Sequence, residues 1–181
     1  IILTKFVMKT FNEIQHTQKP LFIALPILMW AAFTIYSIIE LYNYIYHGIP
    51  LGNNDSDLPI GFFIIVMISM NLAFGFLLFI IVKMRLIINI NEVSIYFEMP
   101  PFKKPTEYKF DEIEYLYVRK YYPVYQYGGW GWRGIKNKAY NISGRWGIQI
   151  VLKNKKQILL GIKKHEEAAQ YLESIGFNKK P

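Results

Sequence analysis

The sequence has no cysteine among its 181 residues, which excludes disulfides, zinc–thiolate or iron–sulfur ligation and a thiol nucleophile. Acidic residues are scarce: 13 Asp and Glu stand against 21 Lys and Arg, a formal charge of +8. Residues 115–165 contain no acid at all, yet they hold Arg119, Lys120, Arg133, Lys136, Lys138, Arg145, Lys153, Lys155, Lys156, Lys163 and Lys164. Such a block seeks anions. Charge of either sign is missing from residues 21–39 and again from 60–82.

What fills those two runs is almost wholly apolar. At about 1.5 Å per residue they extend as helices over roughly 28 and 35 Å, enough to cross the hydrocarbon layer. Two such runs rarely occur as buried core helices of one small soluble domain, so the expectation is two membrane spans, at about 21–46 and 60–82. The first is too long for the apolar region of a signal peptide, and no small-residue cleavage site follows it. Between them, residues 47–59 carry Gly48, Pro50, Gly52, Asn53, Asn54 and Pro59, which cannot continue a helix, so the spans should form an antiparallel hairpin. Lys5, Lys9 and Lys19 precede the hairpin, Lys83 and Arg85 follow it, and the connection has Asp55 and Asp57 but no cation. The positive-inside rule then puts both termini in the cytoplasm.

Within the spans, Tyr42, Tyr44 and Tyr46 suit an interfacial belt, and Glu40 lies near enough to an end to reach headgroups. Asn71 and Gly75, one helical turn apart, suit close packing against the first helix. Residues 1–18 place Leu3, Val7, Phe11 and Ile14 at helical spacing, which predicts an amphipathic segment lying on the leaflet or packed on the soluble part.

After residue 85 the period becomes strand-like. Residues 86–90, 93–99, 107–110, 113–121, 140–142, 147–153 and 157–162 are rich in β-branched and aromatic side chains and separated by turn residues. Residues 166–175 close the chain as a helix ended by Gly176. The predicted fold is an α+β membrane protein: an amphipathic segment (1–19), a transmembrane hairpin (20–85) and a cytoplasmic antiparallel barrel or sandwich closed by a helix (86–181).

Chemical motifs are few. Gly129-Trp130-Gly131-Trp132-Arg133-Gly134 satisfies G-x-G-x-x-G, but no helix follows, no acid occurs for the next thirty positions and two indoles would crowd a pyrophosphate. A flexible or tightly turned loop, with the glycines allowing positive φ, is the expectation instead. Asn141-Ile142-Ser143 is a glycosylation sequon that a cytoplasmic strand would never present. His16, His47 and His165 lie far apart with no metal-ligand spacing, and Asp111, Glu112 and Glu114 have no accompanying nucleophile. No catalytic residue, metal or cofactor is expected. The cations are interleaved with Tyr121, Tyr122, Tyr125, Tyr127, Trp130, Trp132, Tyr140 and Trp146, a composition that also suits nucleic acid, although no nucleic-acid-binding motif is present. Beside a membrane the same residues suit a partner protein or anionic lipid. Arg119, Lys120, Trp130, Trp132, Arg133, Lys136, Lys138, Arg145 and Trp146 are the binding candidates.

Gly128-Gly129-Trp130-Gly131-Trp132-Arg133, followed by Ala139-Tyr140-Asn141-Ile142-Ser143-Gly144, Leu159-Leu160-Gly161 and Glu166-Glu167, resembles a family of small bacterial inner-membrane proteins that has no assigned reaction. Its members have two spans and a cytoplasmic domain similar to pleckstrin-homology (PH) folds. The resemblance implies a PH-like barrel with a C-terminal helix and no known reaction. The expected role is a membrane-anchored accessory or scaffold subunit of a larger inner-membrane complex; the alternative is an anionic-lipid sensor.

Overall fold

The computed structural model describes residues 10–17, 20–51, 59–134 and 137–177. The chain divides into two compact units, residues 18–83 and residues 1–17 together with 84–181.

The first unit is a pair of helices, α1 (Pro20–His47) and α2 (Ile60–Lys83), both long and apolar enough to cross a membrane. Large apolar side chains such as Leu28, Ile35, Phe62, Ile65, Leu72 and Phe76 point outward along both. That arrangement is unfavourable in water and favourable in lipid. The helices are joined by a polar clasp: Asn71 Oδ1 accepts from Trp30 Nε1 at 2.7 Å and from Thr34 Oγ1 at 3.0 Å, and its Nδ2 donates to Met67 O at 2.8 Å. Phe33 and Phe74 meet beside it with ring centroids 6.2 Å apart. Asn71 thus packs on the first helix as expected. Gly75 does not, since a Cβ built there would meet nothing within 4 Å. Near the far end of α1, Tyr42 stacks against Tyr46 and meets His47 edge-on.

The second unit begins with a correction. Residues 11–16 are not helical but form strand β1 (Phe11–His16), antiparallel to β2 (Arg85–Ile90). Residues 1–9 lie outside the described residues. The amphipathic reading fails because β1 alternates: after Phe11 its inward positions are the buried Glu13 and Gln15, whereas Ile14 is 61 % exposed. Both buried groups find backbone partners. Glu13 Oε1 and Oε2 accept the amides of Lys163 and Lys164 at 2.8 and 3.1 Å, and Gln15 Nε2 donates to Gly161 O at 2.7 Å.

Strands β1, β2, β3 (Ser94–Met99) and β4 (Lys103–Lys109) form an antiparallel sheet in that order. In the β2–β3 turn Asn91 Oδ1 caps the amides of Val93 and Ser94, which fixes the register. A second sheet has the order β5 (Ile113–Lys120), β8 (Trp146–Leu152), β9 (Gln157–Ile162), β7 (Asn137–Asn141) and β6 (Gly131–Arg133). All its pairings are antiparallel except β7 with β9, which run parallel. The expected wholly antiparallel closed barrel is therefore not what forms: among the described residues the two sheets share no hydrogen-bonded strand.

Their inner faces instead meet in one core. Phe11, Leu86, Ile88, Ile95 and Phe97 of the first sheet pack with Leu116, Tyr140, Ile148, Ile150, Leu160 and Ile162 of the second. Helix α4 (His165–Ser174) adds Ala168, Tyr171 and Leu172 to that core. A smaller cluster lies on the alternate positions of the second sheet: Tyr121, Ala139 and Leu159, covered by Tyr127 from the short helix α3 (Pro123–Tyr127). Both α3 and β6 fall within the stretch that sequence reading treated as a loop.

Candidate functional site

The candidate residues gather on the second sheet, spread along and across it. Strands β7 and β9 run in the same sense and β5, β6 and β8 run against particular neighbours, so register places each residue. Lys120 pairs with Trp146 at one end, where Arg145 precedes β8. Arg133 pairs with Ala139, which through Leu159 stands level with Gln149 in the middle of β8, and Lys138 is one row further on. Three residues of strand put Arg133 roughly 10 Å from Trp146 along the strand direction. Lys136 lies outside the described residues.

At the first end the glycine-rich segment turns back on the sheet. Gly128 caps α3 in the left-handed conformation, and Gly129 and Gly131 also take positive φ, as expected for a tight turn. Asn141 Oδ1 accepts the Gly131 amide at 2.8 Å, Trp130 Nε1 donates to Gly144 O at 3.3 Å, and Arg133 Nε donates to Trp130 O at 2.9 Å. The GGWG and AYN-x-SG segments are thus stitched together, and β6 leads directly toward β7 rather than into a phosphate-binding helix.

Several candidates are committed to internal work. Arg119 donates through Nε to Gln149 at 2.9 Å, through Nη2 to the Tyr127 hydroxyl at 3.0 Å and through Nη1 to Gln126 at 3.3 Å. It is a tie rod holding α3 over the sheet. Trp146 stacks face to face on His165, with centroids 4.4 Å apart and planes within 7°, and so joins the start of β8 to the start of α4. Lys120, Arg133, Lys138 and Arg145 stay exposed, as does Trp132 at 51 %. The corner made by α3 and the edge strand β6 also exposes Tyr122, Val124 and Tyr125, the last to 93 %, while Trp132 pairs with Tyr140 and so lies on the face of the sheet opposite to the one α3 covers.

At the opposite end the start of β7 meets the β8–β9 turn around a cavity of about 530 Å³ lined by Tyr108, Asn137, Lys138, Asn154, Lys155 and Lys156. Lys155 Nζ binds both oxygens of Glu114 at 2.8 Å, and this hydrogen-bonded pairing raises its pKa. Burial raises the Tyr108 phenol, with the Glu112 charge adding to it. Lys155 and Lys156 belong to the basic block seen in the sequence, yet nothing there set them apart from nine other cations. The parallel pairing of β7 with β9 is what brings Lys138 to them.

No family model, curated protein or solved structure matches this chain.

Proposed function

We propose that this protein is a non-enzymatic, membrane-anchored interaction module, an accessory subunit of a larger assembly in the bacterial inner membrane. The observation that carries the reading is the α3–β6 corner. Tyr122, Val124 and Tyr125 at α3 and Trp132 on the edge strand β6 are large, apolar or amphipathic and exposed, and the segment that bears them is held firmly by the Trp130, Asn141 and Arg119 contacts. Rigid aromatic anchors beside a cation are the side chains that dominate protein interfaces, because they bury much area at little entropic cost. The resemblance to two-span PH-like proteins points the same way.

Connectivity supports the anchoring. His16 is registered with Arg85, so the chain leaves the folded unit for α1 and returns to it from α2 at neighbouring positions of one sheet. If the helices span a bilayer, both connections lie on one side of it, and the lysine-rich flanks assign that side to the cytoplasm.

The test is extraction of the full chain from its native membrane in a polymer nanodisc, alongside the Tyr125→Ala/Trp132→Ala variant. A partner present with the wild type and lost from the well-folded variant supports the reading; identical protein content in both overturns it.

A further inference from the structure

The cavity between β7 and the β8–β9 turn has a chemistry distinct from the aromatic corner. Its lining carries three lysines and the amides of Asn137 and Asn154, with no acidic side chain. Glu114 neutralises Lys155 and draws it toward β5, which leaves Lys138 and Lys156 as the charges presented to the cavity. Among the described residues neither of these ammonium groups has an acidic partner. Asn154 Oδ1 already accepts the Lys156 amide at 3.1 Å, so what its side chain offers a ligand is the Nδ2 donor. Tyr108 and Ile158 supply an apolar wall.

We propose that this cleft binds a phosphomonoester, with Lys138 and Lys156 holding the phosphate and Asn137 and Asn154 donating to its oxygens. A phosphomonoester suits the site better than a carboxylate, because it carries nearly two charges at neutral pH and offers three acceptor oxygens to two cations and two amides. The volume exceeds that of bare phosphate, so an organic group fits against Tyr108. A lipid headgroup and a small soluble phosphate share this chemistry. The proposal goes beyond the interaction role, since the cleft is built from β4, β7 and the β8–β9 turn and uses neither Tyr125 nor Trp132.

The experiment is lysine-reactivity footprinting of the full chain in neutral phosphatidylcholine nanodiscs. One arm adds glycerol 3-phosphate; the other incorporates phosphatidic acid in the disc. Labelling of Lys138 and Lys156 should fall several-fold while Lys103 and Lys120 keep their reactivity, and Lys138→Glu/Lys156→Glu should weaken binding about tenfold or more. Protection by glycerol 3-phosphate marks a soluble ligand, and protection by phosphatidic acid alone marks a headgroup; either supports the site. Unchanged labelling in both arms, or equal protection of all four lysines, overturns it. Partner retention by the Lys138→Glu/Lys156→Glu variant is expected to be intact, which separates this failure from failure of the interaction reading.

Discussion

Tyr121, Asn141 and Gly161 meet where β9 passes beneath the α3–β6 segment. A Cβ at Gly161 would come within 2.7 Å of Asn141 Cβ and 3.1 Å of the Tyr121 hydroxyl, neither of which has room to withdraw. Gly161→Ala is therefore expected to destabilise the folded unit by about 2 kcal/mol, read as a lower thermal midpoint of the full chain in detergent. The Tyr121 hydroxyl is buried against the Asn141 side chain without a well-formed hydrogen bond, and burial pushes its pKa from 10.0 up to about 12, with Asn141 acting in the opposite direction. Below pH 10 both folded and unfolded chains keep this proton; between pH 10 and about 12 the unfolded chain releases it first, so the fold loses stability as pH rises through that window. Tyr121→Phe should leave neutral-pH stability within about 1 kcal/mol of the wild type and move the alkaline unfolding midpoint upward, as followed by circular dichroism. A lower midpoint would contradict it. Residue identity alone pointed to Arg119 as a ligand-binding cation; what it lacked was the knowledge that Gln126, Tyr127 and Gln149 converge on the same guanidinium. Such long-range convergence leaves no trace in local composition, whereas the glycines of the 128–134 turn declared their positive φ openly.

Among the elements, the two long helices were legible because each is an uncharged apolar run long enough to cross a bilayer, a pattern the sequence displays directly. The later strands were legible through alternation, and the closing helix through its buried Ala168 and Leu172. Strand β1 was not, since after Phe11 its inward face is polar and its outward face carries Ile14, the reverse of the usual pattern. Its hidden logic is testable. Glu13→Ala leaves the amides of Lys163 and Lys164 without their acceptor just ahead of α4, and should cost about 2–3 kcal/mol of thermal stability. In the hairpin, Asn71→Ala removes the hub shared by Trp30 and Thr34 and should weaken helix association by about 1 kcal/mol, measurable by steric trapping in bicelles. An unchanged association energy would mean that Phe33 and Phe74 packing alone holds the pair.

For the whole molecule, the residue pattern leads to two helices and a mostly β partner that is either a barrel or a sandwich; the barrel implied by the family resemblance is not found, and two separate sheets stand face to face. The difference lies in pairing: a closed barrel needs the first sheet to bond to the second, and strand patterns say which side faces inward without saying which edge joins which. The parallel β7–β9 pair escaped for the same reason. Single-cysteine variants placed in the α1–α2 connection and near each terminus should label from opposite faces of sealed inner-membrane vesicles; labelling of all three from one face would rule out a spanning hairpin.

The pairing of β1 with β2 also sets an order of events during synthesis. Strand β1 emerges first from the ribosome, but its partner is made only after the entire helical pair, and the residues that receive Glu13 come later still. Until then β1 has no partner strand, so the sheet closes only after both long helices have been made. A chain halted before β2 therefore carries an open edge strand, the kind of surface that pairs with other chains.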